Sequence, residues 1–453
     1  MLINLKNKIN SIVELETKVS TIKNISGKTF LELSDNTGKI KAYSIKQISA
    51  IPGQKLNITA KVVQNNNEIE LEIIRIHKSV NFLIESSNLK LMQNEFKVVA
   101  RLIKEAISEK RHVIIRHHDD TDGYTAGFAI EKALLNLIKS DKPHMFYTRN
   151  VCRTPFYDYI DALKDLSYFL SAKKYGEKPP LVILTDLGSN DQSINSIKRL
   201  KAYDMKIAII DHHRFDKENK DTVDVFLNPQ IYGLGSEICA GMLCCELANY
   251  LAPRLDLHAF PAIAGTADKS EGKEYEEYLK LSKLSKDYLI KWSSVIDHET
   301  YFLRFPARFD FINNLFSLKQ EQVEEIYDSM EKEFKKLELA ARKYVQIKQG
   351  NGFKFLMVDK TKITHRNYTS SKLSRIAHDL EKGPRITFIM TKDAISFRAD
   401  QVEFSGVSLM EELKQKFPYA LVSGGGHDFA GAIKFVEAAK EEIMDYIFKY
   451  LKL

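Results

Sequence analysis

No apolar run in this 453-residue chain approaches the ~20 residues that a bilayer-crossing helix requires. The opening residues, Met1-Leu-Ile-Asn-Leu-Lys6, lack the basic segment and apolar core of a signal peptide, so a cytoplasmic protein is expected. Cysteine is scarce: Cys152, Cys239, Cys244 and Cys245 include no Cys-x-x-Cys pair, which argues against a structural zinc finger. Three of them lie in Ile238-Cys-Ala-Gly-Met-Leu-Cys-Cys-Glu-Leu-Ala248, which reads as a buried helix where thiols act as small hydrophobes. Internal repeats and low-complexity segments are missing too. Charge is nearly balanced, 67 basic against 60 acidic residues, so a polyanionic partner is permitted but not demanded. Most of the excess is local, with twelve basic and seven acidic residues in the first 80.

What is present divides the chain into four segments. Residues 1–80 hold about five short runs that mostly alternate apolar with polar residues, such as Thr29-Phe-Leu-Glu-Leu33 and Glu68-Ile-Glu-Leu-Glu-Ile-Ile74. Their breaks are Ser34-Asp-Asn-Thr-Gly38, Pro52-Gly53 and Asn65-Asn-Asn67, a pattern that predicts a small β-barrel. The strand-turn-strand around Gly38 resembles that of nucleic-acid-binding OB-folds. Lys23, Lys28, Lys39 and Lys41 would follow a phosphate backbone there, and Phe30 and Tyr43 would stack on bases. Between residues 90 and 270, helical stretches alternate with apolar strands, the mark of a doubly wound parallel sheet and an α/β fold. Residues 271–349 are charged, nearly free of glycine and helical in period, and read as a connector. Residues 350–453 return to mixed strands and helices, predicting a smaller α/β domain that contains the cluster Ser423-Gly-Gly-Gly-His427.

Three apolar strands of the second segment end in groups that bind divalent metals. Val113-Ile-Ile115 leads into Arg116-His-His-Asp-Asp-Thr-Asp-Gly123, Leu181-Val-Ile-Leu184 into Thr185-Asp186, and Ile207-Ala-Ile-Ile210 into Asp211-His212-His213. Open α/β sheets place their sites at the carboxyl ends of such strands. Asp120 and Asp122, one residue apart, can face two metals, with Gly123 allowing a tight turn into a helix near Tyr124. His117 or His118 can add an imidazole, Asp186 suits a shared carboxylate, and His212 adds a nitrogen with Asp211 as its orienter. Asp268 follows another small, apolar stretch, Ala262-Ile-Ala-Gly-Thr-Ala267. Two divalent ions ~3.5–4 Å apart activate water, neutralise phosphoryl oxygens and orient an attack at phosphorus. Hard carboxylates with a few imidazoles favour Mn²⁺, with Mg²⁺ as the second choice.

The ordered set Asp-x-Asp-Gly, strand-Asp, Asp-His-His, Gly-x-x-Asp and Gly-Gly-Gly-His resembles the DHH phosphoesterase superfamily. It is most similar to the archaeal RecJ-like single-strand exonucleases, over about residues 110–435. That resemblance implies one metal on an upstream His, Asp120 and Asp186, and a second on Asp122, Asp186, His212 and Asp268. His213 would face the scissile phosphate. His118 keeps the family's two-residue offset to the aspartate, while His117 and Asp119 remain possible ligands. In the DHH-associated C-terminal domain, Gly424, Gly425, Gly426 and His427 match the family's glycine loop, where backbone N–H groups can approach a phosphate. Arg398, in Ser396-Phe-Arg398, matches the arginine that grips the substrate's phosphate. Arg366, Tyr368 and Arg375 are further candidates for the nucleic-acid path.

The function these residues imply is two-metal hydrolysis of single-stranded DNA or RNA from an end. The alternatives are a phosphodiesterase for short oligonucleotides or cyclic dinucleotides, a pyrophosphatase, or a non-catalytic RecJ-related replication scaffold. The resemblance also allows association with the replicative GINS complex.

Overall fold

The computed structural model describes residues 5, 7–48, 50, 52–65, 68–77, 82–235, 237–302, 309–363, 368 and 370–453. Arg366 lies outside them. The chain forms two compact units, Met1–Asn81 and Phe82–Leu453.

In the first unit, β1 (Ile12–Ile25), β2 (Lys28–Asp35), β3 (Gly38–Ser44), β4 (Lys55–Asn65) and β5 (Glu68–His77) close into a barrel of order β1-β2-β3-β5-β4. Alternation drives it: β2 buries Thr29, Leu31 and Leu33 and turns Lys28, Phe30 and Glu32 outward. Register shifts at Val19/Thr21 and Thr59/Ala60 supply the local bends that closure needs. Lys23, Phe30 and Tyr43 are cross-strand partners and form one row. Lys39 and Lys41 bond Glu32 and Glu68 at 3.0 and 2.6 Å. Exposed pairs of this kind are worth little, so the lysines remain exchangeable onto another anion.

The second unit opens with α1 (Ser87–Leu91) and α2 (Gln93–Ser108). The alternating region follows: β6 (Val113–His118), α3 (Thr121–Leu137), β7 (Tyr147–Cys152), α4 (Tyr159–Lys173), β8 (Leu181–Thr185), α5 (Ile194–Lys201), β9 (Lys206–Ile210), α6 (Lys217–Thr222) and β10 (Val225–Leu227). These strands make a parallel sheet of order β10-β9-β8-β6-β7. Ile114, Val182, Leu184, Ile207 and Ile209 pack on Leu166 and Phe169 of α4 and Ile197 and Leu200 of α5. The alternate residues Val113, Ile115, Ile183, Ala208 and Ile210 are buried too, with α2, α3 and α7 (Ala240–Leu251) against strands of the same sheet. A sheet covered on both faces needs the continuous apolar strands seen here. Strand order reverses between β6 and β8, where a crevice opens at the carboxyl ends.

Next come α8 (Phe260–Ala267), α9 (Lys273–Ser282), α10 (Lys286–Phe302), α11 (Phe309–Leu315) and α12 (Gln320–Tyr344). The last part holds β11 (Val345–Gln349), β12 (Lys354–Asp359), α13 (Ser370–His378), β13 (Arg385–Met390), β14 (Ala394–Asp400), α14 (Gly406–Lys416), β15 (Ser423–His427), β16 (Ala430–Lys434) and α15 (Lys440–Tyr450). Its mixed sheet runs β11-β12-β13-β14-β16-β15. One face packs on α14 and α15 through Phe355, Phe388, Leu409 and Ile443; the other meets α12 and α13 through Val358, Ile389, Leu337 and Leu373. No helix among the described residues is long and apolar enough to cross a membrane.

Two local expectations are corrected. Helix α3 begins at Thr121, not near Tyr124, because the Asp120 side chain caps it by accepting from Gly123 N at 2.9 Å. Gly123 therefore lies inside the first turn; a Cβ there would strike the His118 backbone. The glycine cluster is strand β15, not a loop. Gly424 and Gly426 have φ of +155° and +124°, and side chains there would overlap the carbonyls of Ala432 and Ala430.

Candidate active site

At the strand-order reversal the ends of β6, β8 and β9 converge. His118 ends β6, and its Nδ1 lies 2.8 Å from Asp120 Oδ2 and 3.7 Å from Asp186 Oδ2. His212 follows β9; its Nε2 is 3.3 Å from Asp186 Oδ1 and 3.9 Å from Asp122 Oδ2, and its Nδ1 is 3.6 Å from Asp268 Oδ2. Asp186 is thus common to both imidazoles. All six residues named as metal ligands come together. His117 does not join them: it is fully buried against Gly127, with Nδ1 2.7 Å from the His118 carbonyl. Asp119 stands 3.5 Å from His118 Nε2, at the exposed edge.

The backbone around these groups is tightly held. Asp186 has φ +59°, a left-handed conformation costing a non-glycine residue ~1–2 kcal/mol, and its N–H donates to Ile210 O at 3.0 Å. Asp122 accepts from Ala240 N and Gly241 N at the start of α7, at 3.0 and 2.8 Å. A side chain at Gly241 would press on Asp122 Oδ1 and Ala264, so the glycine permits this approach.

Crowded carboxylates set the electrostatics. Burial, with the charges of Asp268 and Asp120, pushes Asp122 up to about 6 against the pull of His212. Burial and the charges of Asp120 and Asp122 push Asp186 well above the ordinary carboxyl range. Burial opposes the charged form of His212, yet Asp268, Asp186 and Asp122 hold it well above an ordinary imidazole. Asp186 Oδ2 is buried and has no hydrogen-bond partner among the described residues. An orphaned carboxylate oxygen amid three other carboxylates and two imidazoles fits divalent cations, which would satisfy the oxygen and offset the charge. His118, Asp120 and Asp186 lie close enough together to share one ion, as do Asp186, Asp211, His212 and His213.

Asp211 orients a different histidine from the one expected. Its Oδ1 is 2.8 Å from His213 Nδ1, while it meets His212 through the backbone N–H, also at 2.8 Å. The two rings lie side by side, centroids 4.4 Å apart, and His212 is turned to Asp186, Asp122 and Asp268, which leaves the second ring to Asp211. His213 stacks on His427, centroids 5.3 Å apart, and His427 Nε2 is 3.9 Å from Asp268 Oδ1. The β15–β16 hairpin is pinned here by Gln192 Nε2, which donates to Gly424 O at 2.5 Å, and by Pro155 against Gly425. The close approach the glycines allow is, in this structure, to β16 and Pro155.

A cleft of about 250 Å³ runs from Asp120, Asp122 and Asp268 to Lys269, Lys372, Arg375 and Arg398. Arg398 donates to Ser374 Oγ and Ser371 Oγ at 3.0 and 3.3 Å. Burial and the neighbouring Arg375 lower it to about 10; burial and the surrounding guanidinium groups lower Lys269 and Lys372 to about 8. Burial and mutual repulsion there outweigh the pull of Asp268, Asp297 and Asp379. Tyr368 lines the same cleft, as do Asp297, His298 and Tyr301 of α10. The sequence reading missed Lys269, Lys372 and these α10 residues. Lys269 could have been found beside Asp268, and Lys372 one turn before Arg375 (α10 carried no such signal).

Residues 112–280 match the DHH family, N-terminal domain. A solved DHH-domain structure, described as a member of a family of ribosomal proteins, is 33% identical, covers 83% of this chain and 94% of its own, and superposes with a TM-score of 0.76. The chain belongs to the DHH family. An uncharacterized protein of Methanocaldococcus jannaschii is 27% identical across 99% of this chain and 70% of its own length. RecJ of Thermus thermophilus in complex with Mn²⁺ shares the fold at 14% identity and a TM-score of 0.54, covering 83% of this chain and 56% of RecJ. The DHH superfamily is one of phosphoesterases, and the parallel sheet described above is its fold.

Proposed function

We propose that the protein is a Mn²⁺- or Mg²⁺-dependent exonuclease for single-stranded DNA or RNA. The observation that carries this reading is one cleft with two unlike walls. Asp120, Asp122 and Asp268 line one part of it, in contact with His118 and His212, which share Asp186, and Lys269, Lys372, Arg375 and Arg398 line another. Anionic side chains repel a phosphodiester unless cations occupy them, whereas the basic wall attracts it. A pair of divalent ions on the acidic wall would supply Lewis acidity and a water activated at neutral pH.

The chain's own groups do the rest. Arg398, held by Ser371 and Ser374, presents a planar fork to phosphoryl oxygens and stabilises charge developing on them. His213 faces the phosphate, its ring fixed by Asp211 on one side and His427 on the other. Burial lowers His213 despite Asp211, so the neutral ring is favoured and can hold or pass a proton through Nε2. Residues 350–453, with Gly424, Gly425, Gly426 and His427, act as the substrate-binding domain closing on the terminal nucleotide. The barrel, read as an OB-fold, provides an independent hold on the strand through Lys23, Lys28, Lys39, Lys41, Phe30 and Tyr43.

The test is digestion of end-labelled DNA and RNA oligomers with Mn²⁺ beside an Asp186→Ala variant, with a cyclic dinucleotide as a small-substrate arm. Stepwise shortening by the wild type alone is expected. Cleavage confined to the dinucleotide would replace the exonuclease reading with the small-substrate one. Inertness on every substrate defeats both.

A further inference from the structure

We propose that Asp297, on helix α10 and far in sequence from the metal-binding motifs, is a positioning residue that holds Asp120 and Asp122 in place for their ions. The proposal rests on the metal reading above. Thr121 stands between the two carboxylates as the first residue of α3. Its N–H and its hydroxyl both donate to Asp297 Oδ1, at 2.8 and 2.6 Å, and the hydroxyl also reaches Ser293 O at 3.0 Å. Ser293 and Asp297 are four residues apart, so a single face of α10 grips the start of α3. Within α3, Thr125 Oγ1 donates to Thr121 O at 2.6 Å and fixes the same residue from the following turn.

The physical need for this grip comes from the free N–H groups that every helix start leaves. Gly123 N is served by Asp120 Oδ1, which leaves Asp120 Oδ2 for His118. The amide of Thr121 also requires an acceptor. Without Asp297, the carboxylate best placed to turn toward first-turn amides is the capping Asp120 itself. Each bond drawn from Asp120 in that way competes with a metal ion for its oxygens. Asp297 takes this amide and the hydroxyl with one oxygen, so Asp120 and Asp122 keep their cleft-facing orientation. Asp297 is itself exposed to the cleft, so it holds α3 from within the site rather than through the core. Residues that orient metal ligands from outside contribute ~10–100-fold to affinity or activity when removed.

The experiment measures Mn²⁺ affinity of the full chain by calorimetry, with thermal unfolding in chelator as a fold control. Asp297→Ala is expected to weaken binding ~10–100-fold with its unfolding in chelator close to the wild type's. Asp297→Asn keeps an acceptor oxygen for Thr121 and should restore affinity to within a few-fold. Thr121→Val, which deletes the hydroxyl's contacts with Asp297 and Ser293 but keeps the amide bond, should give a smaller loss and serves if Asp297→Ala does not fold. Unchanged affinity in both Asp297→Ala and Thr121→Val overturns the proposal. So does a loss in Asp297→Asn equal to that in Asp297→Ala, since the residue's charge rather than its grip would then matter. A wild type with no saturable Mn²⁺ binding overturns the metal reading itself, which sets that failure apart.

Discussion

Asp186 concentrates the conflict between folding and chemistry in one residue. It is buried, left-handed in backbone and pressed by Asp120 and Asp122, none of which helps the metal-free protein. Such strain persists where a site needs the geometry. Asp186→Asn removes the charge and keeps the shape. In chelator its thermal stability should at least match the wild type's. With Mn²⁺ at 100 times its Kd, the wild type should gain about 2.7 kcal/mol and Asp186→Asn almost nothing; paired thermal melts check this. In the same cleft as the carboxylates, Arg398 is held by two serine hydroxyls through Nε and Nη2. Arg398→Gln should lower kcat/KM by ~10²–10³-fold. Arg398→Lys should recover only part of that, because a point charge cannot make two parallel bonds. A lysine variant as active as wild type, in steady-state assays on a labelled oligomer, would show that charge alone suffices.

Elements were legible in the sequence wherever one pattern ran long enough. Continuous apolar runs gave β6, β8 and β9, and alternation gave the barrel strands. The motifs at the strand ends named every residue that meets at Asp186. Legibility failed where structure depends on contacts distant in sequence. Ser423–His427 looks like a loop because three glycines carry no strand preference, yet pairing with Ala430–Lys434 makes them one. Asp211 offered no sign of which histidine it would reach, since that depends on how the chain leaves β9. The acid on α10 lies in a segment that reads only as a charged connector, because its partner, Thr121, is 176 positions away. Helix α7 shows the same effect in a titrating group. Glu246 is buried and accepts from Leu83 N at 2.6 Å and Tyr278 OH at 2.7 Å, and burial raises it from an ordinary 4.5 to about 7. Between pH 4.5 and 7 the unfolded chain releases this proton and the folded chain keeps it, so stability falls as pH rises through that window. At ~1.4 kcal/mol per pH unit, Glu246→Gln should gain on the wild type by about 3 kcal/mol between pH 4 and pH 8. Urea unfolding of both proteins at those two pH values measures it, and a difference independent of pH would show that Glu246 titrates normally.

On the scale of the whole molecule, two compact units allow the proposed strand binding to be tested as two separable contributions. On the exonuclease reading, the cleft of about 250 Å³ would take the reacting end of the strand. The barrel adds a basic surface with Phe30 exposed beside Tyr43 in register, the combination that holds single strands without regard to sequence. Linking two weak sites raises the effective concentration of one for a strand already caught by the other, and only for strands long enough to reach both. Removing residues 1–81 should therefore raise KM for a long oligomer at least ~10-fold, consistent with ~1–3 kcal/mol for each lost base stack. It should leave kcat and the cutting of a dinucleotide nearly unchanged. The slope of log affinity against log salt should also become shallower, since fewer phosphates are neutralised. Replacing Phe30 and Tyr43 by alanine in the full chain should reproduce the KM effect while keeping the salt slope, because stacking is lost and the lysines remain. Equal losses on long and short substrates would instead mean that the first unit supports the fold of the second, and the two-site account of strand capture would fall.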